Sequence, residues 1–138
     1  MTFVIDTHIF LWLIFDPDKI SKEKITILED PTNKILIASI SFFEISLKYN
    51  LKKLDLHGII PENLPDIAKK MDILPAHIDS KIMASFYKLE KIDKHNDPFD
   101  RLLIWYCICK GYTLISQDRK FRKYEKYPYY WRKRHIDS

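Results

Sequence analysis

The chain has 138 residues, 46% of them hydrophobic and 30% charged, the balance of an ordinary globular domain. Its net charge of +4 gathers at one end, where eight Lys or Arg stand against the single acid Glu125 between Arg119 and Arg134; such an end suits contact with phosphates. The two glycines, Gly58 and Gly111, stand apart, which excludes a Walker loop and a dinucleotide fingerprint, so any phosphate chemistry must run through side chains and metal.

A single domain over residues 1–138 is expected, large enough to bury roughly two-thirds of its unfolded surface. The longest apolar runs, Ile9 to Phe15 and Leu102 to Cys109, fall far short of a membrane span, so no membrane association is expected. No basic leader precedes the first apolar residues, which argues against a secretory signal and for the cytoplasm. Cys107 and Cys109 would project about 200° apart on a helix and cannot pair. Both read as buried structural thiols of a reduced compartment.

Phe3-Val4-Ile5 is a short apolar, β-branched run, read as a buried parallel strand that ends at Asp6. Thr7 to Phe15 reads as a helix broken by Asp16-Pro17-Asp18, and Ile20 to Glu29 as a weaker amphipathic one. Lys34 to Ala38 is a second buried strand, after which Ser39 and Ser41 open a helix reaching about Tyr49. Leu51 to Pro61 is a loop around Gly58, followed by a helical stripe at Leu64, Ile67, Ala68 and Met71. Asp72 to Pro75 is a short extended piece, and Ile78, Ile82, Met83, Phe86 and Leu89 share another helical face.

Lys91 to Asp97 is polar and loop-like; Pro98 to Lys110 is a helix apolar nearly all round, ended by Gly111. Tyr112 to Ile115 is a strand, Gln117 to Arg122 a helical turn, and Tyr127 to Trp131 a final edge strand containing Pro128. This alternation describes an α/β fold with about five parallel strands and helices on both faces.

Four acids fall where a strand hands over to a helix or a helix begins: Asp6, Glu44, Asp100 and Asp118. Each has a plain alternative. Asp6 and Asp118 can cap the helices that follow, and Ser41-Phe42-Phe43-Glu44 fits a capping box. Asp97 before Pro98 is a good N-cap, and Asp100 a favourable charge at a helix N-terminus. Taken together, however, the four converge on one edge of a parallel sheet, where such folds bind ligands. Carboxylates about 4 Å apart repel by roughly 4 kcal/mol at an effective dielectric near 20, so a cluster of four needs protons or a cation. Oxygen-only ligands suit magnesium or manganese rather than zinc, and such ions activate water for attack on a phosphodiester.

Asp6-Thr7-His8-Ile9-Phe10-Leu11-Trp12, Ile40 to Lys48, His95 to Arg101 and Leu114 to Asp118 resemble, in order, the successive motifs of PIN-domain ribonucleases, most of all the VapC-type toxins of type II toxin–antitoxin pairs. The resemblance implies a PIN fold and cleavage of RNA by an activated water, dependent on Mg2+ or Mn2+ and leaving a 3′-hydroxyl and a 5′-phosphate. It puts the metal-binding and catalytic acids at Asp6, Glu44, Asp100 and Asp118, leaves Asp97 as a cap, and makes Thr7 and Ser116 site-lining. Arg101, beside Asp100, either pairs with an acid or touches substrate phosphate. A homodimer is implied too, as is a small antitoxin protein whose tail blocks the site.

Tyr129 to His135 departs from the family pattern in being basic and aromatic, either a ledge for RNA or a solvated tail. None of the five histidines has metal-ligand spacing, and none is given a catalytic role. Two rivals remain: an RNA-processing nuclease with no toxin role, and a non-catalytic RNA-binding module whose acids are helix caps.

Overall fold

The structure is a computed structural model and describes residues 1–91 and 97–117. The apolar runs form β1 (Thr2–Ile5), β2 (Lys34–Ala38) and β4 (Thr113–Ile115), and the short extended piece forms β3 (Ile73–Ala76). All four pair in parallel, in the order β3-β2-β1-β4. Val4, Ile5, Ile37 and Leu114 lose all contact with solvent. Strands covered on both faces read as unbroken apolar runs, as these do. At the edge, β3 buries only Ile73 and Ala76 and leaves Leu74 and Pro75 exposed, a place where proline costs no ladder bond.

Of the expected strands, four lie among the described residues; the one read over 127–131 and the helical turn read after Gln117 lie outside them.

Among the described residues, six α-helices flank the sheet: α1 (Thr7–Phe15), α2 (Lys22–Glu29), α3 (Ser39–Asn50), α4 (Leu64–Lys70), α5 (Ser80–Ala84) and α6 (Pro98–Lys110). Parallel crossovers are right-handed. The chain steps outward from β1 to β2 to β3 and then returns to add β4 beyond β1. The helices of the first two crossovers therefore cover one face and those of the third the other. No helix among the described residues is long and apolar enough to cross a membrane.

Two helices differ from their sequence pattern for visible reasons. α2 starts at Lys22 rather than Ile20, because Ser21 is its N-cap and accepts from the Lys24 amide at 3.4 Å. The face from Ile78 to Leu89 splits into α5 and a 3-10 turn over Ser85–Lys88. There the Ile82 carbonyl accepts from Ser85 Oγ at 3.0 Å and from the Trp105 indole at 3.1 Å. Side-chain donors competing for a backbone carbonyl in this way tighten the last turn.

Gly111 closes α6 in the left-handed conformation, with φ of 73°. On α6 the cysteines part as their spacing requires, but only Cys107 is buried. Cys109 is exposed, contrary to the reading of both as buried, because it lies on the opposite side of the helix one residue from its end.

Candidate active site

The order of the sheet reverses between β1 and β4, and open α/β sheets bind ligands outside the carboxyl ends of strands at such a point. Asp6 stands there. Its amide continues the sheet by donating to the Ile115 carbonyl at 3.2 Å, which fixes the residue beside the end of β4. Its side chain is 3% exposed and caps α1, Oδ1 accepting from the Ile9 amide at 2.7 Å. The cap reading of Asp6 is therefore correct, and the cap also locks the carboxylate in place at the sheet edge.

Glu44 comes to the same edge from the second turn of α3. A capping box does not form: the N-cap is Ala38, Ser41 lies inside the helix, and Glu44 turns away from the helix start. The carboxylate is 3% exposed and accepts from Thr7 Oγ1 at 2.6 Å and from Lys48 Nζ at 2.8 Å. Thr7 follows Asp6, so one short hydrogen bond joins the two acid-bearing elements. Ser41, one turn before Glu44, is also buried, and its hydroxyl has no hydrogen-bond partner among the described residues. A buried hydroxyl without a partner costs about 1–3 kcal/mol, unusual away from a functional site.

Asp97 behaves as the cap it was read to be, accepting from the amides of Phe99 at 2.9 Å and Asp100 at 3.2 Å. Asp100, half-buried in the first turn of α6, has the favourable field of the helix N-terminus. The Phe43 and Phe99 rings, 5.9 Å apart, bring the starts of α3 and α6 together. Each ring belongs to the residue just before a candidate acid.

Lys48 was not singled out in the sequence, although Glu44 and Lys48 form the favourable i,i+4 order of acid before base. Partial burial alone would lower the Lys48 pKa. The hydrogen bond that Lys48 donates to Glu44 and the charges of Glu44, Asp97 and Asp100 outweigh it, and the ammonium form is strengthened.

Ser116 is buried directly after β4. Next to it, Gln117 accepts from the Ser21 amide at 2.8 Å and donates to the Lys19 carbonyl at 3.0 Å, which pins the chain as it leaves the sheet. Asp118 lies outside the described residues, as do His95, His135 and the basic aromatic end. Arg101 donates to the carbonyls of Leu89 at 3.3 Å and Glu90 at 3.0 Å and lies over the Phe86 ring, which ties α6 to the segment after α5.

Among the described residues, no three His, Cys, Asp or Glu side chains close into a shell around a single point. The donor set nevertheless has the chemistry of a hard divalent cation: carboxylates of Asp6 and Glu44, both buried, and the buried Ser41 hydroxyl one turn from Glu44, unpartnered among the described residues. A cavity of 560 Å³ among Leu13, Leu28, Pro31, Met71 and Asp72 lies instead at the amino ends of β2 and β3 and contains none of the candidate residues.

A family profile described as PIN domain matches residues 3–127. Among solved structures, the fold is similar to that in the crystal structure of VapBC2 from Rickettsia felis bound to a DNA fragment from their promoter. The TM-score is 0.62 at 20% identity, over 95% of this chain and 96% of that one. No curated protein matches. The order of the strands, the acids at their carboxyl ends and a profile that runs almost from end to end agree, and the chain belongs to the PIN domain family.

Proposed function

We propose that this PIN domain is a divalent-metal-dependent endoribonuclease and the toxin of a type II toxin–antitoxin pair. In this reading residues 1–138 form one domain that acts in the cytoplasm as a homodimer and is held in check by a small antitoxin protein. Asp6, Glu44, Asp100 and Asp118 hold Mg2+ or Mn2+, with Thr7 and Ser116 lining the site. The observation that carries the reading is the meeting of two buried acids from different elements at the sheet's switch point, joined through Thr7. Purely structural caps need no such meeting.

When bound, the ion supplies a water of lowered pKa and charge stabilisation for the phosphodiester. The chain's own part is orientation. The Ile9 amide holds Asp6 and the Thr7 hydroxyl holds Glu44, so both carboxylates are set before substrate arrives. The water oxygen bonds to phosphorus as the bond from phosphorus to the 3′ oxygen breaks. The 3′ oxygen leaves with a proton, giving a 3′-hydroxyl and a 5′-phosphate. The Lys- and Arg-rich end suits the charge of an RNA backbone.

The test is cleavage of structured RNAs with Mg2+ or Mn2+, with EDTA, and with Asp100→Asn. Cleavage that needs the ion and fails in the variant supports the nuclease. Growth arrest on expression, relieved by a neighbouring short reading frame, supports the toxin role.

A further inference from the structure

Ser41, Glu44 and Lys48 sit at i, i+3 and i+7 on α3, so they share one face of the helix. Ser41 and Glu44 are buried, whereas the Lys48 side chain is 39% exposed. Its ammonium reaches inward to Glu44 Oε2 at 2.8 Å. The other oxygen, Oε1, is held at 2.6 Å by the neutral Thr7 hydroxyl. One ammonium thus sits on a buried carboxylate, in the place where the electrostatics of clustered acids calls for a cation.

We propose that Lys48 is the resident counter-cation of this acid site and competes with a divalent ion for Glu44, so that it sets how tightly the metal is held. The inference rests on the metal-dependent reading above and adds the component that tunes it. A lysine suits the task, being a compact point charge on a flexible stem. Its partial exposure lets it withdraw to water at small cost when a divalent ion arrives. Thr7 does not compete, because a hydroxyl can orient the carboxylate whichever cation faces it. The arrangement yields a nuclease whose ion loading follows the ambient metal concentration instead of being permanent.

The experiment is calorimetric titration of the full chain with Mn2+, comparing wild type with Lys48→Met and Lys48→Arg, and measuring melting with and without the ion. Lys48→Met keeps the stem and removes the charge. It should tighten Mn2+ binding about tenfold, equivalent to ~1.4 kcal/mol. It should also melt at lower temperature than wild type without metal, and recover when Mn2+ is added. Lys48→Arg should bind Mn2+ as wild type does, and in a Glu44→Gln background Lys48→Met should have no effect on binding. A lysine that merely props Glu44 in place predicts the opposite sign, so weaker or unchanged Mn2+ binding in Lys48→Met overturns the proposal while leaving the metal reading intact. Binding by Lys48→Met alone, with none by wild type, supports competition in its strongest form. Absence of Mn2+ binding in both proteins overturns this proposal and the metal reading together.

Discussion

At the scale of single residues, the site is built from side chains that each serve two ends. Asp6 caps α1 and stands at the sheet's switch point, while Thr7 starts the helix and holds Glu44. Thr7→Val keeps the shape and deletes the donor to a buried carboxylate. It should cost about 1–3 kcal/mol in urea denaturation and slow RNA cleavage, whereas Thr7→Ser should retain both. Asp97→Ala tests the plain cap beside the site and should cost about 1 kcal/mol of stability by the same measurement. The thiols separate as well, since burial pushes the Cys107 pKa far up while Cys109 is exposed. A thiol reagent should therefore modify one cysteine per native chain, and the second only after unfolding.

How much the sequence disclosed at this scale differs from residue to residue. Asp97 was readable because a cap followed by proline is a local pattern, complete within three residues. Glu44 looked like a capping box for the same local reason, but its true partners come from α1 and from Lys48. A partner 37 residues away leaves no mark in a four-residue window. The Glu44–Lys48 spacing was visible, yet on a helix surface it usually means a solvated pair. Only burial of Glu44 changes its meaning.

At the scale of elements, most of the fold was legible because parallel strands covered on both faces must be apolar throughout. β1, β2 and β4 answer to that rule, and α6 ends at Gly111 as its sequence requires. β3 was less distinct because an edge strand alternates and tolerates Pro75. The division of α5 from the following 3-10 turn could not be read locally, since it depends on the Trp105 indole from α6. Gly111→Ala puts a β-carbon on a residue with φ of 73° and should lower stability by about 1 kcal/mol, seen as a lower denaturant midpoint with unchanged slope.

At the scale of the whole molecule, the strand order is what turns scattered acids into neighbours. Residues 6 and 44 lie on different elements, and only the β3-β2-β1-β4 order with its right-handed crossovers delivers both to the carboxyl edge, where α6 also presents Asp100. The most direct test of the account is RNA cleavage by Asp6→Asn in the presence of Mn2+. Asparagine caps a helix about as well as aspartate, so the variant should stay folded while losing a charged ligand. The account predicts wild-type cleavage that stops in EDTA and a fall of about a hundredfold or more in Asp6→Asn, ~3 kcal/mol of barrier, at near wild-type melting temperature. Cleavage that persists in EDTA, or survives in the folded variant, would contradict it.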